Sequence, residues 1–218
     1  MNAIELLETQ HNDIDELFSR LAANGGGGEQ RQRWFDDLAD LLAIHASIEE
    51  LHFYPTVKAI KTQEILEQST EEHLGIKRKL AACLASKIDS DGFKKRLDEL
   101  QHEVQHHVGE ERKQLFPVVR KMMEPDLLEA LGQEMTSTMA ELQKGRPRFD
   151  VPLQTIAPMP LREVPAQGPI SSRLVPRLSR LLALPLQVIG AFDHARAVIG
   201  GFVHGVQRGA SRGRKREA

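Results

Sequence analysis

The chain has 218 residues, 40% hydrophobic and only 5% aromatic, with a formal net charge of −2. That is enough for one full domain plus an extension. A single cysteine, Cys83, excludes a disulfide framework and fits a reducing, cytoplasmic setting. Met1-Asn2-Ala3-Ile4-Glu5 carries neither a basic nor an apolar leader region, so no signal peptide is expected.

Apolar residues at helical spacing predict a first helix over 2–23, with Ile4, Leu7, His11, Ile14 and Leu17 on one stripe. Asn24 and the four glycines up to Gly28 end it. No Gly-Lys-Ser/Thr follows them, which excludes a phosphate loop. A second helix over 29–60 carries Leu38, Leu41, Leu42, His45, Ile48 and Glu49, with a bend expected at Pro55. A third over 63–88 aligns Ile65, Leu66, His73, Ile76 and Leu80, with Cys83 read as a buried, inert thiol. Asp89 to Gly92 reads as a turn and cap cluster. A fourth helix over 93–122 aligns Leu97, Leu100, Val104, His107, Val108, Glu111 and Leu115. A shorter fifth helix follows Pro125, with Leu127, Leu128, Leu131, Met135 and Leu142 on its apolar side. The predicted fold is an all-α, up-down four-helix bundle over 1–145, with this short helix against its end.

From Lys144 the composition changes. Seven prolines between 144 and 176 read as an extended, semi-rigid linker, placed at 146–180. Residues 162–218 hold ten Lys/Arg against three Asp/Glu, so a basic tail of +7 follows an acidic remainder of −9. Within 181–218, Ile189, Phe192, Ala195, Ile199, Phe202 and Val206 recur at helical spacing. The uncharged run from Leu181 to Phe192 is too short to span a bilayer. Three readings of 181–216 stay open: an amphipathic helix with a polybasic anchor on an anionic membrane surface, docking on the bundle or on a protein partner, and nucleic-acid contact. The lack of aromatics among the terminal charges counts against the last.

The bundle spells one pattern twice. His45-x-x-x-Glu49 precedes Tyr54-Pro55, and His107-x-x-x-Glu111 precedes Phe116-Pro117. His11 and His73 each lie 34 residues upstream of the corresponding histidine, so one offset of 62 relates all five positions. This is the mark of a duplicated helical hairpin with two halves facing one site. A histidine and a glutamate four apart share one helix face. All six polar residues fall on core-facing stripes, where an unpaired carboxylate costs several kcal/mol against a total stability of roughly 5–15 kcal/mol. Cations relieve that cost. His/carboxylate sets inside helical bundles build di-iron and di-manganese centres, and imidazole with carboxylate suits iron or manganese rather than a thiolate zinc site. His102, His106 and Glu110 form a competing register beside Lys95, Glu99 and Lys113, and read as a solvated face. His52, one turn after Glu49, reads as a partly buried, satisfied histidine or as a group behind the site.

Gln10-His11, His45-x-x-x-Glu49-Glu50 with Phe53-Tyr54-Pro55, Glu72-His73 and His107-x-x-x-Glu111 with Leu115-Phe116-Pro117 together resemble the hemerythrin family in its HHE-type cation-binding form. The resemblance covers residues 1–145. It implies two iron ions in an oxo- or hydroxo-bridged, non-haem centre, with His11, His45, His73 and His107 as terminal ligands and Glu49 and Glu111 as bridges. The family's oxygen carriers have a fifth histidine where this chain has Lys77, which implies a lysine turned away or an iron with an open position. The resemblance therefore implies binding of O2, peroxide or nitric oxide for redox sensing or response, or a di-iron enzyme that disproportionates peroxide or handles nitric oxide.

Overall fold

The computed structural model describes residues 1–23, 27–58, 62–88 and 90–161. Among these there is no strand. Helix α1 spans Ala3–Ala22 and opens with a capping box: Asn2 Oδ1 accepts from Glu5 N–H at 3.0 Å, and Glu5 Oε2 accepts from Asn2 N–H at 2.9 Å. Helix α2 spans Gly28–Ile48 and runs through a π-helical turn, Glu49–Phe53, into the short α3, Tyr54–Val57. Helix α4 spans Gln63–Leu84. Helix α5 spans Asp91–Glu110, capped by the Ser90 hydroxyl, and passes through a second π-turn, Glu111–Leu115, into α6, Phe116–Met122. Helix α7 spans Pro125–Leu142.

The rods α1, α2–α3, α4 and α5–α6 form the predicted four-helix bundle, with α1 against α2 and α4 against α5. The fifth helix, α7, packs along α1 and the first π-turn. Its approach to α1 is close enough that a Cβ at Gly132 would lie 2.6 Å from the Met1 carbonyl oxygen.

The sequence predicts a bend at Pro55 and a fourth helix over 93–122; ahead of both prolines the rod widens by one residue. The widening has a physical cause. Proline has no N–H, and its ring clashes with the carbonyl four residues back. Both chains of hydrogen bonds slip to i→i+5: Tyr54 N–H donates to the Glu49 carbonyl, and Phe116 N–H to the Glu111 carbonyl. Each π-turn begins on a predicted glutamate ligand, and each is followed by the aromatic residue of the repeat.

Two apolar clusters fill the interior. One gathers Ile4, Leu7, Ile48, Phe53, Leu66, Leu115, Phe116 and Leu131; the other gathers Ile14, Phe18, Phe35, Leu38, Leu80, Phe93, Leu97 and Leu100. On every rod the predicted histidine falls between members of the two clusters, so the polar layer is closed off from water on both sides.

The extended linker expected from residue 146 is corrected over its described part. Two 3-10 turns, Pro147–Phe149 and Val151–Gln154, lie on the bundle. The Arg148 guanidinium pairs with Asp40 and, at 3.0 Å, with Asp36 of α2, while the Asp40 carboxylate accepts from Arg148 N–H at 3.1 Å. Val151 is buried in the second cluster. Arg78 of α4 donates to the carbonyls of Thr155 and Ile156 at 2.9 and 3.3 Å. Charge pairing and one apolar anchor outweigh the stiffness that the prolines suggest. The amphipathic helix and basic tail at 181–218, and most of the linker, lie outside the described residues.

Candidate metal centre

Each bundle rod contributes one histidine, and the four imidazoles meet in two pairs. His11 Nε2 lies 3.2 Å from His45 Nε2, and His73 Nε2 lies 3.2 Å from His107 Nε2. The carboxylates stand between the pairs. Glu49 Oε2 is 3.3 Å from His45 Nε2 and 3.1 Å from His73 Nε2. Glu111 Oε2 is 3.3 Å from His11 Nε2 and 3.7 Å from His107 Nε2. The six residues predicted from the repeat thus converge, and all six are buried. Their donor atoms form two groups able to hold a cation: His11, His45, Glu49 and Glu111, and His73, His107 and Glu49. Glu49 belongs to both.

The donor set fits metal ions on a further ground. Glu49 Oε1 and Glu111 Oε2 are buried without a hydrogen-bond partner, a costly state for acceptor-only oxygens unless a cation meets them. Without a cation, burial and the charge of Glu111 push the Glu49 carboxyl well above the usual range. Burial opposes ionisation of Glu111 too, but the imidazoles of His107, His11 and His45 outweigh it and hold that carboxyl low. The two buried carboxyls are thus pushed in opposite directions.

Behind the imidazoles stand groups that orient them. His45 Nδ1 lies 3.0 Å from the Gln10 carboxamide oxygen, His73 Nδ1 lies 3.0 Å from Glu50 Oε1, and His107 Nδ1 lies 2.9 Å from Glu72 Oε2. These acceptors place the proton on Nδ1 and leave each Nε2 lone pair facing the centre. His11 Nδ1 alone among the four has no partner. Lys77 resolves the question that the missing fifth histidine raises. It is buried, and its ammonium sits 2.7 Å from both Glu50 oxygens, turned away from the donors.

Reading the repeat left one group at the centre unassigned. The Tyr54 hydroxyl donates to Glu111 Oε1 at 3.2 Å and lies 3.2 Å from His73 Nε2, with its ring stacked on that imidazole. Burial, then the charges of Glu111 and Glu49, keep the phenol protonated well above its ordinary range. The available signal was the break in the repeat, tyrosine in one half and phenylalanine in the other. Phe116, the counterpart, stacks on His11 instead. His102 and His106 are exposed, as expected, although His106 Nδ1 lies 3.4 Å from Glu72. His52 is half-buried and satisfied by Thr138 Oγ1 at 2.8 Å. Among the described residues no helix is long and apolar enough to cross a membrane.

Comparison with known proteins agrees with the helical fold. In a crystal structure of a hemerythrin HHE cation-binding domain protein, an Rv2633c homolog from Mycobacterium kansasii, the matched chain is 23% identical with a TM-score of 0.60, covering 66% of this chain and 88% of that one. The uncharacterized protein Rv2633c of Mycobacterium tuberculosis is 24% identical over 150 residues, 68% of this chain and 91% of that protein. A DNA nickase of a Nostoc species is 26% identical over 148 residues, 66% of this chain, and the match spans only 41% of the nickase. The Hemerythrin HHE cation binding domain profile matches residues 2–146, the span that supplies every rod and every donor of the centre, and the chain belongs to that family.

Proposed function

We propose that the chain holds two iron ions, one at the His11/His45 pair and one at the His73/His107 pair, with Glu49 and Glu111 shared, and binds O2 or a related small oxidant, peroxide or nitric oxide, for redox sensing or response. The observation that carries this reading is the pair of donor groups sharing Glu49, sealed between two apolar clusters, with carboxylate oxygens that no protein donor satisfies. Iron, when bound, supplies Lewis acidity and electrons toward a small oxidant. The chain's own residues do the rest. Gln10, Glu50 and Glu72 fix the imidazoles, Phe53 and Phe116 exclude water, and Tyr54 holds a proton at its phenol oxygen beside Glu111.

That phenol supports a second reading, a di-iron enzyme that disproportionates peroxide, in which a proton donor inside the closed site would assist O–O cleavage. Metal content per chain, with an absorption spectrum before and after peroxide, separates the two. Two irons and a stable spectral change support binding and sensing. Two irons and rapid oxygen evolution support the enzyme. No iron, or one zinc, overturns both. For residues 181–216 the charge split supports docking on an anionic membrane surface or a protein partner. Co-sedimentation with anionic vesicles, lost in a chain ending at 161, tests the membrane case.

A further inference from the structure

The offset of 62 that maps one half of the centre onto the other preserves all the predicted ligands and changes nearly everything behind them. Gln10 maps onto Glu72, and both meet the Nδ1 of the histidine that begins a His-x-x-x-Glu motif. One is a neutral amide, the other a carboxylate. Glu50, which holds His73 Nδ1, maps onto Arg112. Arg112 donates instead to Asn12 Oδ1 at 3.0 Å on the exposed surface, and His11 Nδ1 is left without a partner. Tyr54, an oxygen donor beside His73, maps onto Phe116, which offers His11 only a ring face. The His73/His107 pair is therefore backed by two carboxylates, the His11/His45 pair by one amide. Lys77 offsets part of this by pairing with Glu50, yet Glu50 still accepts from His73. Glu49 belongs to both donor groups, whereas Glu111 belongs only to the His11/His45 group, 3.3 Å from His11 and 3.7 Å from His107, so the difference between the positions rests on the groups behind the imidazoles alone.

A carboxylate behind an imidazole raises its basicity as a ligand, and losing such a partner costs about 10–100-fold in metal affinity. We infer that the two positions are unequal: the His73/His107 position fills first and keeps its cation, whereas the His11/His45 position is the weaker, exchangeable one, so that one-metal and mixed-metal states are populated. This rests on the binuclear reading above. It makes Glu72, Glu50 and Gln10 the residues that set the order of loading.

The test is anaerobic titration of the full metal-free chain with ferrous ion, followed by calorimetry, and with cobaltous ion, followed by the paramagnetically shifted imidazole N–H resonances. Two uptake steps at least tenfold apart are expected, the first equivalent shifting His73 and His107 signals. Glu72→Gln should weaken the first step about 10–100-fold and spare the second. Gln10→Glu should tighten the second step and narrow the gap, which keeps the test open if Glu72→Gln folds poorly. Two equivalents of equal affinity, or first shifts at His45, would overturn the inequality while leaving the binuclear reading intact. No uptake at all would overturn both.

Discussion

His107 and Glu111 stand one turn apart, each fully buried, and each leaves an uncompensated partner when removed. Replacing either with alanine should lower metal content and thermal stability together, because the bound cation adds to folding free energy. A site loaded at a thousand times its Kd contributes about 4 kcal/mol, so its loss should shift Tm by on the order of 10 °C for a chain of this size. Metal analysis and calorimetry on the same preparations check this, with exposed His102→Ala as the control expected to change neither. The pH dependence has a definite sign. Burial opposes a proton on His107, but the charges of Glu111 and Glu72 outweigh it and raise its pKa, while Glu49 is raised by burial and by Glu111. A cation must displace those protons, so uptake should strengthen as pH rises and release protons into a weak buffer. Uptake with no proton release would contradict this protonation scheme.

At the scale of the element, the π-turns join backbone to chemistry. A proline six residues beyond Glu49 and beyond Glu111 forces the slip to an i→i+5 bond, and the widened turn carries Tyr54 and Phe116 into the core. Two other contacts decide how the elements dock. Gly132→Ala should destabilise the chain by about 1–3 kcal/mol through overpacking against residues 1–3, although alanine is the better helix former by roughly 1 kcal/mol. Arg148→Ala should cost about 1–2 kcal/mol, the range for hydrogen bonds to charged groups reduced for the partial exposure of Asp36 and Asp40. Denaturant titration measures both, and a neutral Gly132→Ala would mean that α7 shifts freely along α1.

For the whole molecule, the two 3-10 turns that follow residue 146 pack on the bundle. A chain ending at 161 should keep the metal stoichiometry of the full protein, whereas one ending at 145 loses the Arg148 pairing and the Val151 anchor. It should be the less stable of the two by a few kcal/mol, the sum of one core side chain and one charged hydrogen-bond set. Equal melting temperatures for the two truncations would show that the strap contributes nothing.

The sequence by itself determined the helices, the bundle and the six converging residues, because helical periodicity is local and a polar residue on an apolar stripe betrays its burial. The constant offset then tied the halves together. Tertiary structure alone decided which atoms stand behind those residues. Gln10 meets His45 from 35 positions away and Glu50 meets His73 from 23, contacts set by how two rods are rotated against each other, which no single stripe records. Lys77 shows the difference most clearly. Its spacing marked it as a cation in a cation site, and only the packing of α4 on the first π-turn reveals the carboxylate that takes its charge.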